Sequence, residues 1–166
     1  LIIMQIHGGR QLKGVVKASG SKNAILPILA ASIMLEGETT LRNISNLGDV
    51  KIMVRMLNSL GVRTEYLFND DVHILNNKKI KHIAPYELVT AMRASFFVAG
   101  PILARTGYAK IPMPGGCTIG TRPVDIHLQG FEALGAQISI EHGFVQFKTN
   151  KLKGTYFKLP FPSVGA

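Results

Sequence analysis

Apolar and polar positions follow two rhythms along this chain, one of period two and one helical, and the rhythms succeed each other in a recurring order. Gly14-Val15-Val16-Lys17-Ala18 reads as a strand. Asn23 to Leu35 is rich in Ala, Leu and Ile and reads as a buried helix despite Pro27, with Gly37 ending it. Thr39-Thr40-Leu41-Arg42 is a second strand. Asp49 is placed to N-cap a helix running through Leu60, with Gly61 at its C′ position. Val62 to Phe68 and Val72 to Leu75 then form a hairpin around Asn69-Asp70-Asp71. The second half follows the same plan. A helix is expected near Tyr86 to Arg105, a strand over Tyr108 to Met113 and a helix over Val124 to Leu134. A hairpin over Gln137 to Lys148 turns about His142-Gly143.

The recurrence has a register. Pro27-Ile28-Leu29-Ala30 returns as Pro101-Ile102-Leu103-Ala104, 74 positions later. Leu60-Gly61-Val62 returns as Leu134-Gly135-Ala136, and Val50 and Ile52 map to Val124 and Ile126, at the same spacing. The units run from about 12 to 76 and from about 84 to 149. A third begins near 151, where Leu152-Lys153-Gly154 echoes Leu12-Lys13-Gly14. Each unit reads as βαβαββ, an α/β plan whose apolar faces must stack on one another. The chain stops where the third unit's first helix should begin. An incomplete third unit, and with it part of the active site missing, is therefore the expectation.

Composition narrows the partners. With 166 residues, 46% hydrophobic and 17% charged, the chain has the length for one sizeable core and is not disordered. Nineteen basic against ten acidic residues, net +9, favour anionic partners. The cations are scattered. The one cluster, Lys78-Lys79-Ile80-Lys81, follows Asn76-Asn77 and reads as a solvated turn. The absence of Trp and the few other aromatics weigh against a base-stacking nucleic-acid surface. One cysteine excludes an internal disulfide, and no spacing suggests a zinc cluster, so neither metal nor cofactor is expected. Leu1 to Ile6 is too short for a signal sequence, and no apolar run has the length of a membrane span. A cytoplasmic protein without a membrane partner is expected.

Chemistry concentrates at Pro114-Gly115-Gly116-Cys117-Thr118-Ile119-Gly120, followed by Thr121-Arg122-Pro123-Val124-Asp125. Glycines allow close backbone approach to a ligand, and arginine offers a fork of donors to phosphate or carboxylate. The residues alone leave two readings: an anion-handling loop with a working thiol, or a glycine turn around an inert buried cysteine.

Four motifs carry a resemblance. They are Ser19-Gly20-Ser21-Lys22-Asn23-Ala24-x-Leu26-Pro27, Met92-Arg93-Ala94-Ser95, the Cys117 loop through His127, and Ser163-Val164-Gly165-Ala166. In order and spacing they resemble the UDP-N-acetylglucosamine 1-carboxyvinyltransferases, within the enolpyruvyl transferases. The similarity spans essentially the whole chain and marks it as the N-terminal part of a longer protein. The resemblance implies an inside-out α/β barrel. In it, three βαβαββ units surround a pseudo-threefold axis with helices inside, and a second such domain is mostly outside this sequence. It also implies transfer of enolpyruvyl from phosphoenolpyruvate to the 3-hydroxyl of UDP-N-acetylglucosamine.

By the same resemblance, Cys117 is the general acid, on a closing loop that fosfomycin alkylates. Lys22 and Asn23 bind phosphoenolpyruvate, and Arg122 binds its phosphate. Arg93, Arg122, Pro123, Val124, Asp125, Ile126, Ser163 and Val164 hold the UDP-sugar. Phe161 departs from the family, which usually places a polar residue there, and puts one UDP-phosphate contact in doubt. Phe97 replaces a common tryptophan. A catalytic aspartate and a further arginine of the family fall beyond Ala166. The nearest rival is the sister shikimate-pathway enolpyruvyl transferase, against which Asn23 and Cys117 argue. A nucleic-acid-binding βαβαββ protein and a non-catalytic remnant are the readings from other classes.

Overall fold

The computed structural model describes residues 3–67, 70–76, 79–114 and 124–163. Helix α1 (Lys22–Ala31) buries Ile25, Leu26, Leu29 and Ala30, and a 3₁₀ turn, Ser32–Met34, extends it and buries Ile33. Positions four apart thus face inward together. Pro27 lies on the exposed side, where losing one backbone donor is tolerated. Helix α2 (Gly48–Ser59) buries Val50, Met53, Val54, Met56 and Leu57. Leu60 closes it, and Gly61 follows at φ +97°, the left-handed conformation that glycine adopts without strain.

Strands β1 (Gly37–Leu41), β2 (Val62–Leu67) and β3 (Asp71–Asn76) form an antiparallel sheet in the order β1-β3-β2. Strands β4 (Tyr108–Pro112), β5 (Gln137–Glu141) and β6 (Phe144–Lys148) repeat that order as β4-β6-β5. In both sheets the last strand of the hairpin is central. It buries alternate residues, Val72 and Ile74 in β3 and Val145 and Phe147 in β6. Helix α5 (Asp125–Ala133) packs on β5 as α2 packs on β2.

Three expectations fail. The helix foreseen over Tyr86 to Arg105 is three pieces: α3 (Tyr86–Ala91), a 3₁₀ helix Arg93–Val98, and α4 (Ala99–Thr106). Met92 is extended at the break (φ −151°, ψ 121°), and the buried Ser95 Oγ donates to the Leu88 carbonyl at 2.9 Å. A side-chain bond there substitutes for a helical one. Asp49 is not the N-cap of α2. Leu47 holds that place, and Asp49 lies within the first turn.

The strand foreseen at Gly14–Ala18 is not formed, and Val15 and Val16 are fully exposed. Residues 151–163 likewise form no strand, although the Lys153 N–H donates to the Leu134 carbonyl at 2.9 Å. An extended segment needs a neighbour to take its backbone groups. Among the described residues only the second unit shows a trace of such pairing, a parallel bridge between Ile83 and Lys110. Among the described residues each unit is therefore αβαββ.

The units meet through helices. Helix α1 packs against the 3₁₀ helix Arg93–Val98, the turn Ser32–Met34 against α4, and α2 against α3. Their buried side chains form one continuous apolar cluster. Arg105 of α4 locks the junction. Its guanidinium donates to the carbonyls of Ile33 (2.7 Å) and Leu35 (3.2 Å) and pairs with Glu36 (3.2 Å). A cation is favoured where a helix ends in unpaired carbonyls. The side-chain amide of Asn76 serves the same end, donating to Ser32, Ile33 and Leu35. Among the described residues no helix is long and apolar enough to cross a membrane.

Candidate functional site

Helix starts dominate the described part of the candidate set. Lys22 and Asn23 are the first two residues of α1, and both are exposed. Arg93 opens the 3₁₀ helix Arg93–Val98 and is half-buried. Val124 is the buried N-cap of α5, followed by exposed Asp125 and buried Ile126. None of these three starts has a side-chain cap among the described residues. Backbone N–H groups at uncapped helix starts, with the dipole behind them, suit anionic ligands.

Packing brings the elements bearing these residues side by side. Helix α1 lies on the 3₁₀ helix that Arg93 opens. Phe96 of that helix meets His127 of α5 edge-on, with ring centroids 6.0 Å apart. Ser163 is half-buried. Cys117, Arg122, Pro123 and Val164 lie outside the described residues.

The loop before α1 is tightly seated. A Cβ on Gly20 would fall 2.1 Å from the Asn43 carbonyl oxygen, closer than any side chain permits. Ser45 Oγ donates to the Gly20 carbonyl at 2.7 Å, and the Ser21 carbonyl accepts from the N–H groups of Ala24 and Ile25. The path into α1 is thus fixed against residues 43–45, which lead into α2. At the meeting of the two helix starts, Lys22 Nζ lies 2.8 Å from Asp49 Oδ2, and both side chains are partly open to solvent.

The sequence reading missed this pair and treated Asp49 as a cap. The available signal was electrostatic: a lysine in a first turn sits against the helix dipole and needs an anion nearby. Beside the same loop is an open depression lined by Lys17, Ala18, Ser19, Arg42, Asn43, Asp70 and Asp71. Two carboxylates there offset the two cations. Among the described residues no group of three or more His, Cys, Asp or Glu side chains is arranged to hold a metal ion.

Residues 6–166 match the family described as EPSP synthase (3-phosphoshikimate 1-carboxyvinyltransferase). A protein of Gloeobacter violaceus named UDP-N-acetylglucosamine 1-carboxyvinyltransferase is 49% identical over 98% of this chain and 36% of its own length. One of Caldanaerobacter subterraneus, named UDP-N-acetylglucosamine 1-carboxyvinyltransferase 1, is 51% identical over 93% of this chain and 37% of its own. The chain thus spans well under half the length of these curated relatives. Among solved structures, the enolpyruvyl transferase NikO from Streptomyces tendae superposes with a TM-score of 0.71 at 19% identity, over 89% of this chain and 32% of that one. EPSP synthase from Acinetobacter baumannii superposes with a TM-score of 0.69 at 22% identity, over 95% and 37%. At such identities the likeness shows the fold, and the fold is that of the enolpyruvyl transferases.

Proposed function

The chain belongs to the enolpyruvyl transferase family, and from that membership we propose that it carries the acid and much of the anion-binding charge of a UDP-N-acetylglucosamine 1-carboxyvinyltransferase. The observation that carries this reading is the name shared by relatives 49% and 51% identical over nearly all of this chain. The sister activity names the matching family, but the two EPSP synthase structures from Acinetobacter baumannii are 21% and 22% identical. Asn23 and Cys117 also argue against it.

The sugar 3-hydroxyl oxygen bonds to C2 of phosphoenolpyruvate, and its proton leaves to a base. C3 takes a proton from the Cys117 thiol, giving a tetrahedral intermediate. C3 then returns a proton, the bond from C2 to the phosphate oxygen breaks, and inorganic phosphate departs as the double bond re-forms. A thiol with an ordinary pKa of about 8.5 suits a proton moved in both directions near neutrality. Lys22, Asn23 and Arg122 hold phosphoenolpyruvate and the intermediate. Arg93, Arg122 to Ile126, Ser163 and Val164 hold the UDP-sugar. Uncapped helix starts beside these cations support the accommodation of two polyanions in one cleft. The reaction is the first committed step of peptidoglycan synthesis and takes place in the cytoplasm.

The test is phosphate release from phosphoenolpyruvate by the full-length polypeptide that carries this sequence. UDP-N-acetylglucosamine and shikimate 3-phosphate are offered as separate acceptors. Release with the UDP-sugar is expected. Release with shikimate 3-phosphate alone overturns the reading in favour of the sister activity, and release with neither overturns both. Mass spectrometry of the Cys117 peptide after fosfomycin treatment tests the acid, with an adduct expected.

A further inference from the structure

The ion pair between Lys22 and Asp49 does not belong to the repeat. Seventy-four positions on, Lys22 corresponds to Phe96 and Asp49 to Pro123, so the second unit builds its helix packing with neither charge. Phe96 is buried there against His127 and Phe147. The fold therefore does not require charges at these positions, and a pair this open to solvent contributes little to stability.

Its placement is nonetheless specific. Gly20 seated on Asn43 and Ser45 bonded to Gly20 hold the loop before α1 on the segment leading into α2, so both partners are carried on a stapled frame. The carboxylate is favoured at the start of α2, whereas the ammonium is disfavoured at the start of α1. The carboxylate is thus the partner its own helix holds in place, and it draws the lysine toward it. An ammonium has three donors, and Asp49 Oδ2 takes one of them at 2.8 Å. Among the described residues the others are untaken, on a side open to solvent where an anion can be received.

We propose that Asp49 is a positioning residue for the transferase: it holds the charged Lys22 ammonium aimed at the site where the substrate phosphate arrives. This rests on the functional reading above and deepens it. Asp49 does not touch substrate. It fixes where the cation stands before substrate comes and keeps it oriented as charge moves during addition and elimination. Loss of Asp49 therefore lowers the rate of the chemical step more than the occupancy of the site. Removing a negative charge beside the arriving phosphate also eases its binding.

The experiment measures kcat and KM for phosphoenolpyruvate in the full-length polypeptide carrying Asp49→Ala, Asp49→Asn or Asp49→Glu, with thermal unfolding followed in parallel. For Asp49→Ala a fall in kcat of about tenfold or more is expected, with KM for phosphoenolpyruvate unchanged or lower and an unfolding midpoint like that of the wild type. Asp49→Glu is expected to recover part of kcat, and Asp49→Asn to fall between the two. A kcat for Asp49→Ala within twofold of the wild type overturns the proposal, as does a raised KM with kcat unchanged. If Asp49→Ala does not fold, Asp49→Asn decides by the same criteria. If that variant does not fold either, the role of Asp49 is structural and the proposal fails. Turnover by the wild type with an indifferent Asp49→Ala sinks this role alone. Absence of turnover by the wild type sinks the functional reading and this role together.

Discussion

The two units share their sheets and differ at the helices that face each other. Both sheets place the second hairpin strand in the centre, and both α2 and α5 hand over to a sheet strand through a leucine and a left-handed glycine, Leu60-Gly61 and Leu134-Gly135. The sequence motifs of the helices keep a spacing of 74, but β4 starts only 71 residues after β1, because the first unit inserts the turn Ser32–Met34 between α1 and β1. Where the first unit presents Lys22 to solvent, the second buries Phe96. Where the first needs Gly20, the second has Ala94. One scaffold thus holds a charged, tightly seated helix start in one copy and an aromatic packing contact in the other. The proposed chemistry is placed on the fold rather than dictated by it.

Exchanging the residues breaks the comparison most forcefully in the second unit. Phe96→Lys puts an ammonium among Phe147, His127 and the apolar cluster. We expect a loss of about 3–5 kcal/mol in denaturant unfolding, the range for deleting a large buried aromatic, with the buried charge adding to it. In the first unit the effect falls on activity instead. Lys22→Ala should lower kcat/KM for phosphoenolpyruvate by about 10²–10³-fold, the scale for removing one preorganised charge-stabilising group. Its stability should change by under about 1 kcal/mol. A Lys22→Ala variant that unfolds, or one that retains wild-type kcat/KM, would contradict this division.

The junction yields a smaller effect. Arg105→Met removes the donors to Ile33 and Leu35, and the counterpart of Arg105 in the first unit is only Ala31. A cost of about 1.5–3 kcal/mol is expected from denaturant midpoints. Gly20→Ala should cost about 1–3 kcal/mol, because the new methyl meets the backbone oxygen of Asn43. The reciprocal change Ala94→Gly should cost about 1 kcal/mol or less. Equal costs for those two substitutions would show that the seating of the first loop is not special.

Much of this was readable from the residues. The repeat located α1, α2, α5 and both hairpins within a few positions, because each has its own apolar period and its own stop at Gly37, Gly61 or Gly135. The break at Met92 was not readable. It depends on Ser95 bonding back to Leu88, a choice that no apolar pattern records. Gly14 to Ala18 has the composition of a strand but lacks a partner among the described residues, and pairing is a property of two segments. In the candidate set, Lys22, Asn23 and Arg93 were proposed through motifs, while the contact of Lys22 with Asp49 was not readable because the two lie 27 residues apart. The positions of Cys117 and Arg122 lie outside the described residues.

The shared apolar cluster also governs how this chain acquires its shape. The contact of Arg105 with Ile33 joins residues 72 apart, and α1 finishes its burial only against helices of the second unit. The first unit emerging from a ribosome therefore has its own sheet and the packing of α1 on α2, but not the whole of its interior. The contacts that complete it are non-local, and closing so long a loop carries an entropic cost. Unlike a solenoid, whose modules zip up one after another, this pair of repeats shares one interior, which α4 helps to complete.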